Sequence, residues 1–162
     1  MALIKDGKEI DDPARFVPDE EALSPGVPAI ISLERFQALA PGELQAAAIA
    51  GVRLMPGDDP ANLAEGLGAL RLVEISFPKY VDGRGFSQAQ LLRRRMGYSG
   101  ELRAVGEVLR DQLLYMLRSG FDAFETQRAD IAEYLAATGE FSAFYQPAAD
   151  GAPTVFSARS AR

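Results

Sequence analysis

The chain contains no cysteine and no histidine. Without cysteine it has no disulfide, no thiolate nucleophile and no thiolate-held zinc or iron–sulfur centre of its own. Without histidine the commonest general base and the commonest transition-metal ligand are gone. Redox chemistry would therefore need a bound organic cofactor or a partner subunit. An excess of positive charge is missing too. Seventeen Lys and Arg stand against 23 Asp and Glu, a net charge of −6, whereas a general nucleic-acid binder needs a basic face toward phosphates. No apolar run approaches the ~20 residues of a membrane span. The first residues, Met1-Ala2-Leu3-Ile4-Lys5-Asp6-Gly7-Lys8, are charged almost at once, unlike a signal peptide. These absences point to a cytoplasmic protein with neither membrane nor nucleic acid as partner. What is present is ordinary: 162 residues, 48% hydrophobic and 25% charged, enough for one domain with a proper core.

The stretch from Leu70 to Leu92 organises the rest. Leu72, Val73, Ile75 and Phe77 give the apolar, partly β-branched run of a strand covered on both faces. Pro78 cannot donate a ladder bond and stops the pairing. The loop after it holds Lys79, Tyr80, Asp82 and Arg84, with Gly83 and Gly85 free to turn sharply. Ser87 followed by Gln90 fits a capping box, so a helix is expected from Ser87 to about Met96. Loops at the carboxyl ends of strands are where α/β folds build sites.

Residues 1–27 read as an N-terminal hairpin and covering segment, with Asp6-Gly7 as the turn. Residues 28–147 read as a single α/β domain and 148–162 as a flexible tail. Further strands are expected at 29–32, 52–55, 102–105 and 121–124. Helices are expected at 33–48, after Asp59-Pro60, at 106–118 and at 127–138. Leu109, Leu113, Met116 and Leu117 form one apolar stripe on the 106–118 helix. About five strands alternating with helices make a parallel α/β fold. A partial (β/α) barrel is the favoured arrangement and an open doubly wound sheet the alternative. The preference rests on charged residues inside strands: Glu74 and Arg103 fall on successive strands and could pair in a barrel interior. Exposed sheet edges are expected to make the protein a homodimer.

Two constellations could carry chemistry. The loop at 78–87 offers two cations, glycine backbone and a helix start to an anion or phosphate; Lys79, Gly83, Arg84, Gly85 and Ser87 are its candidate binding residues. It is neither a Walker loop nor a dinucleotide fingerprint, so a local turn closed by Asp82 and Arg84 is the competing reading. Glu74, or Asp82, could act as a general base with Arg103 clamping an anionic substrate; the competing reading is a buried ion pair that fixes register. Asp58-Asp59 reads as a helix cap rather than a metal site, and no metal is expected.

Three blocks carry a family resemblance: Phe77-Pro78-Lys79-Tyr80-Val81-Asp82-Gly83-Arg84-Gly85-Phe86-Ser87, Gly100 to Leu113, and Gly120-Phe121-Asp122-Ala123-Phe124-Glu125. Over roughly residues 28–135 the chain resembles the bacterial family catalogued as domain of unknown function 934. The resemblance implies a protein encoded beside assimilatory sulfite reductase and labelled an oxidoreductase of sulfite reduction, with sulfite reductase as the implied partner. It supplies no catalytic residues and no cofactor. Many relatives carry Cys before the Gly-Phe-Asp block where this chain has Ser119, so a thiol mechanism is not expected there. Three functions come into view: an accessory of sulfite reduction with an anion site at 78–87, an enzyme acting on a phosphorylated or sulfonated small molecule, or a non-catalytic structural dimer.

Overall fold

A computed structural model describes residues 2–39, 48–127, 130–138 and 143–160. Eight strands form one curled half-barrel sheet. They are β1 (Ala2–Lys5), β2 (Lys8–Ile10), β3 (Arg15–Phe16), β4 (Ala29–Ser32), β5 (Ile49–Leu54), β6 (Leu72–Phe77), β7 (Glu101–Gly106) and β8 (Ala123–Thr126). Their order across the sheet is β2-β1-β8-β7-β6-β5-β4-β3. From β3 to β8 neighbours pair in parallel and in chain order, the arrangement of a partial barrel. A doubly wound sheet would reverse its strand order partway, and this one does not. The N-terminal hairpin does not stand apart: β1 adds antiparallel to β8 and carries β2 to the edge.

The two faces of the sheet have different contents because side chains alternate along a strand. Ile31, Val52, Leu54, Val73, Ile75, Phe77, Leu102, Ala104 and Phe124 point to one face and form the main core. Over that face lie α1 (Leu33–Ala38), α2 (Arg84–Gln90), α3 (Leu113–Ser119) and α4 (Ile131–Thr138). Ile30, Ala50 and Leu72 form a second, smaller cluster on the other face, covered by Ala14 and Phe16. The segment from β2 to β3 therefore crosses the concave face like a strap, from one sheet edge to the other.

Several elements differ from the sequence expectation. Ser32 caps α1 through a bond from the Arg35 amide, but the described helix ends at Ala38; the expected continuation at 40–47 lies outside the described residues. Asp59 does cap, accepting from the Ala61 amide, yet the chain then forms two 3₁₀ turns, Pro60–Leu63 and Leu67–Ala69, rather than an α-helix. Gly66 and Gly68 shorten the segment below what cooperative helix formation needs. α2 begins at Arg84, three residues before Ser87, with Gly83 as its cap. The Asp82 side chain accepts from the Arg84 amide, so the first turn is closed by Asp82 and the capping box is unused. The next turn, Leu91–Arg95, is a π-helix. The fourth connection starts as a 3₁₀ turn, Arg110–Gln112, before α3, whose Leu113 and Met116 are fully buried. A short exposed helix, α5 (Val155–Ser160), lies in the expected tail.

Candidate functional site

One rung crosses the middle of the sheet. In the parallel registers Ser32 faces Arg53, Arg53 faces Glu74 and Glu74 faces Arg103. All lie on the concave face, because Val52, Val73 and Leu102 beside them turn into the main core. Glu74 is 1% exposed and Arg103 2%. Arg53 donates its Nε to Glu74 at 2.7 Å, and an Arg103 Nη1 stands 3.6 Å from the other carboxylate oxygen. Arg103 also donates to Asp12 at 2.5 Å and to Glu101 at 2.7 and 2.9 Å. Arg71 donates to both oxygens of Asp12 at 2.9 and 3.0 Å, and Lys5 to Glu101 at 2.9 Å. The Arg53 guanidinium lies 4.0 Å from the centre of the Phe16 ring. Burying such charges is tolerable only because each meets an opposite charge.

Electrostatics are set by that closure. Burial pushes the Glu74 carboxyl up, against the pull of Arg53 and Arg103. Burial acts in the same sense on Asp12, but bonds from the Ala14 amide, Arg103 and Arg71 outweigh it and leave the group below its ordinary value. Glu101 is likewise lowered, because Lys5 and Arg103 together overcome burial. Arg103 is raised: its desolvation is exceeded by the bonds to Asp12 and Glu101 and by the nearby Glu74.

These shifts set an acid limit. Asp12 and Glu101 bind protons less tightly folded than unfolded, so their stabilisation is complete above the ordinary values of 3.8 and 4.5. It is lost as pH falls through the depressed folded values. Glu74 acts with the opposite sign, so it offsets part of the loss. Chemical denaturation at a series of pH values is expected to show stability falling steadily below pH about 4.5, with a shallower fall in Asp12→Asn. Equal slopes for the two proteins would contradict the assignment.

The rim at the carboxyl ends of the strands holds the other sequence candidates. Asp82 and Arg84 grip each other there: Arg84 Nη2 and Nε reach the carboxylate at 2.6 and 2.9 Å. This bond and the Arg84 amide hold the Asp82 carboxyl down at about 2. Lys79, Gly83 and Ser87 are exposed beside them, while Gly85 is buried against β6. The loop backbone is fixed from neighbouring elements. The Tyr80 amide donates to the Glu107 carboxylate at 2.9 Å, and Gln112 donates to the Tyr80 carbonyl at 2.7 Å. Gln88, 4% exposed, donates to the carbonyls of Met55 and Asp58 at 2.8 and 2.9 Å. Asp58 in turn accepts from the Met55 amide at 2.7 Å.

The structure thus brings Glu74 and Arg103 together and holds Asp82 elsewhere, with Arg84. What the two settings can do chemically differs. Arg103 already has three carboxylates around it, and the cavity of about 530 Å³ beside it is lined by Glu9, Asp11, Asp12 and Glu125; a substrate anion is repelled there. At the rim an anion would have to displace Asp82 from Arg84. Among the described residues no group of three or more acidic side chains is placed to hold a metal ion. Sequence reasoning missed Arg53, which holds Glu74 more closely than Arg103 does. Its signal was present: Val52-Arg53-Leu54, Val73-Glu74-Ile75 and Leu102-Arg103-Ala104 repeat one apolar–charged–apolar pattern on successive strands.

A model of the family described as "Bacterial protein of unknown function (DUF934)" matches residues 51–156. The match runs from β5 to α5 and leaves the hairpin and strap outside it. No curated protein and no solved structure matches the chain. No helix among the described residues is long and apolar enough to cross a membrane.

Proposed function

The chain belongs to the bacterial family DUF934, and we propose that it is a cytoplasmic accessory protein of assimilatory sulfite reduction that acts by binding a partner rather than by catalysing a step. One observation carries the second half of this reading: the buried carboxylates and guanidinium groups of the sheet are closed on each other, with Glu74 1% exposed between Arg53 and Arg103. A general base must reach the proton it removes, and Glu74 has no open path to one. The pathway and the partner, sulfite reductase, come from the family resemblance.

The rim supplies a docking surface. Met55 is 46% exposed, Tyr80 51% and Val81 70%, on the loops after β5 and β6. Large apolar side chains held out on a loop fixed by Glu107 and Gln112 suit the anchors of a protein interface. A small anion held by Lys79, Arg84 and the Gly83 and Gly85 backbone, and a homodimer through the free edges β2 and β3, are secondary to that contact. Deleting the gene is expected to slow growth on sulfate and not on cysteine. Wild type is expected to restore growth and to co-purify with sulfite reductase, and Val81→Asp to do neither. Equal growth of the deletion and parent strains on sulfate would overturn the proposal.

A further inference from the structure

A groove of about 840 Å³ runs over the helix side, between α2, α3 and the segment 144–148. Phe86, Gln90 and Arg94 line one wall, four residues apart on one helical face. Gln112, Tyr115 and Ser119 line the wall opposite. The third wall is pinned in place. Arg118 stacks 3.9 Å from the centre of the Phe144 ring, donates to the Gln146 carbonyl and pairs with Asp150 at 3.2 Å, while the Ala149 amide donates to the Arg118 carbonyl at 2.9 Å.

The chemistry of the lining is unlike that of the rest of the chain. The protein carries 23 Asp and Glu, yet none of the described residues lining this groove is acidic. Arg118 is committed to Asp150. Arg94 is exposed, and among the described residues no ion pair holds it. Tyr115 and Tyr145 are 67% and 72% exposed, the Tyr145 ring standing edge-on to Phe156 with centres 5.5 Å apart. Gln112 adds a fixed polar point. Its Nε2 is spent on the Tyr80 carbonyl, which ties this wall to the loop after β6.

These features suit a ligand with a flat ring and a negative charge. We propose that the groove binds a nucleoside phosphate. The base stacks on the exposed Tyr115 ring, and its phosphate pairs with the Arg94 guanidinium. The volume falls in the range of small-molecule pockets. The site does not rest on the accessory role, although Gln112 links its wall to the Tyr80 loop of the rim.

Isothermal titration of the full chain with AMP, adenosine and inorganic phosphate tests it. AMP is expected to bind saturably. Arg94→Ala is expected to weaken AMP by about tenfold, the worth of one charge-assisted hydrogen bond, and to leave adenosine binding and the thermal melt unchanged. Tyr115→Ala is expected to weaken both AMP and adenosine. No saturable AMP binding at millimolar concentration would overturn the proposal. So would AMP binding that neither substitution changes, or inorganic phosphate displacing AMP at equal concentration.

Discussion

Arg103→Ala is expected to destabilise the fold by about 3–5 kcal/mol, the cost of breaking a buried ion pair from one side. The reason lies in what Arg103 leaves behind. Asp12, Glu74 and Glu101 are 8%, 1% and 7% exposed at their side chains, and all three face its guanidinium. Removing it leaves three carboxylates with one cation each, Arg53 for Glu74, Lys5 for Glu101 and Arg71 for Asp12, and the one tying the strap to the sheet loses its inner partner. A domain of ordinary stability holds about 5–15 kcal/mol, so much of the reserve disappears. The melting temperature followed by circular dichroism is expected to fall by roughly 10 °C. A fall of about a degree, as for surface substitutions, would show that the row is solvated. Arg103→Lys keeps the charge and loses the fork that serves several carboxylates at once, and an intermediate loss is expected.

The second large effect is expected at Gly85. A Cβ there would stand 2.6 Å from the Phe77 ring and 3.0 Å from Ile75 Cγ2. Phe77 is fully buried and wedged between Phe86 and Phe121, with ring centres 5.5 and 5.8 Å away. It has nowhere to move, so Gly85→Ala pushes α2 off β6 and costs about 1–3 kcal/mol, the range for an overpacked core. Gly83, two residues earlier, is the control. Its φ is −79° and nothing lies within 4 Å of its would-be Cβ, so Gly83→Ala is expected to be neutral or slightly stabilising. Thermal melts of the two variants check this. Equal melting points would mean that the two glycines share one role in the loop and that helix packing is not what Gly85 serves.

The fold was legible in the sequence because parallel strands buried on both faces announce themselves. Val73, Ile75 and Phe77 read as core and are core. Glu74 and Arg103, charged residues inside such strands, indicated an enclosed interior, and register made them neighbours. Less legible were features set by distant contacts. Nothing local tells that Asp12 reaches Arg71 and Arg103, separations of 59 and 91 residues along the chain. Nothing local places the hairpin beside β8 either. The start of α2 was misplaced because two caps competed: Ser87 with Gln90 against Asp82 on the Arg84 amide. The groove left no trace in the sequence because its lining comes from three separated segments with no common motif.

If the row on the concave face is framework and the working surfaces lie outside it, chemistry at Glu74 is dispensable. Glu74→Gln keeps the shape and an acceptor for Arg53 while removing the proton-accepting carboxylate. Returned to the deletion strain at matched protein level, it is expected to restore growth on sulfate as wild type does. Soluble, folded Glu74→Gln protein that fails to restore growth would contradict the account and return a catalytic role to that carboxylate.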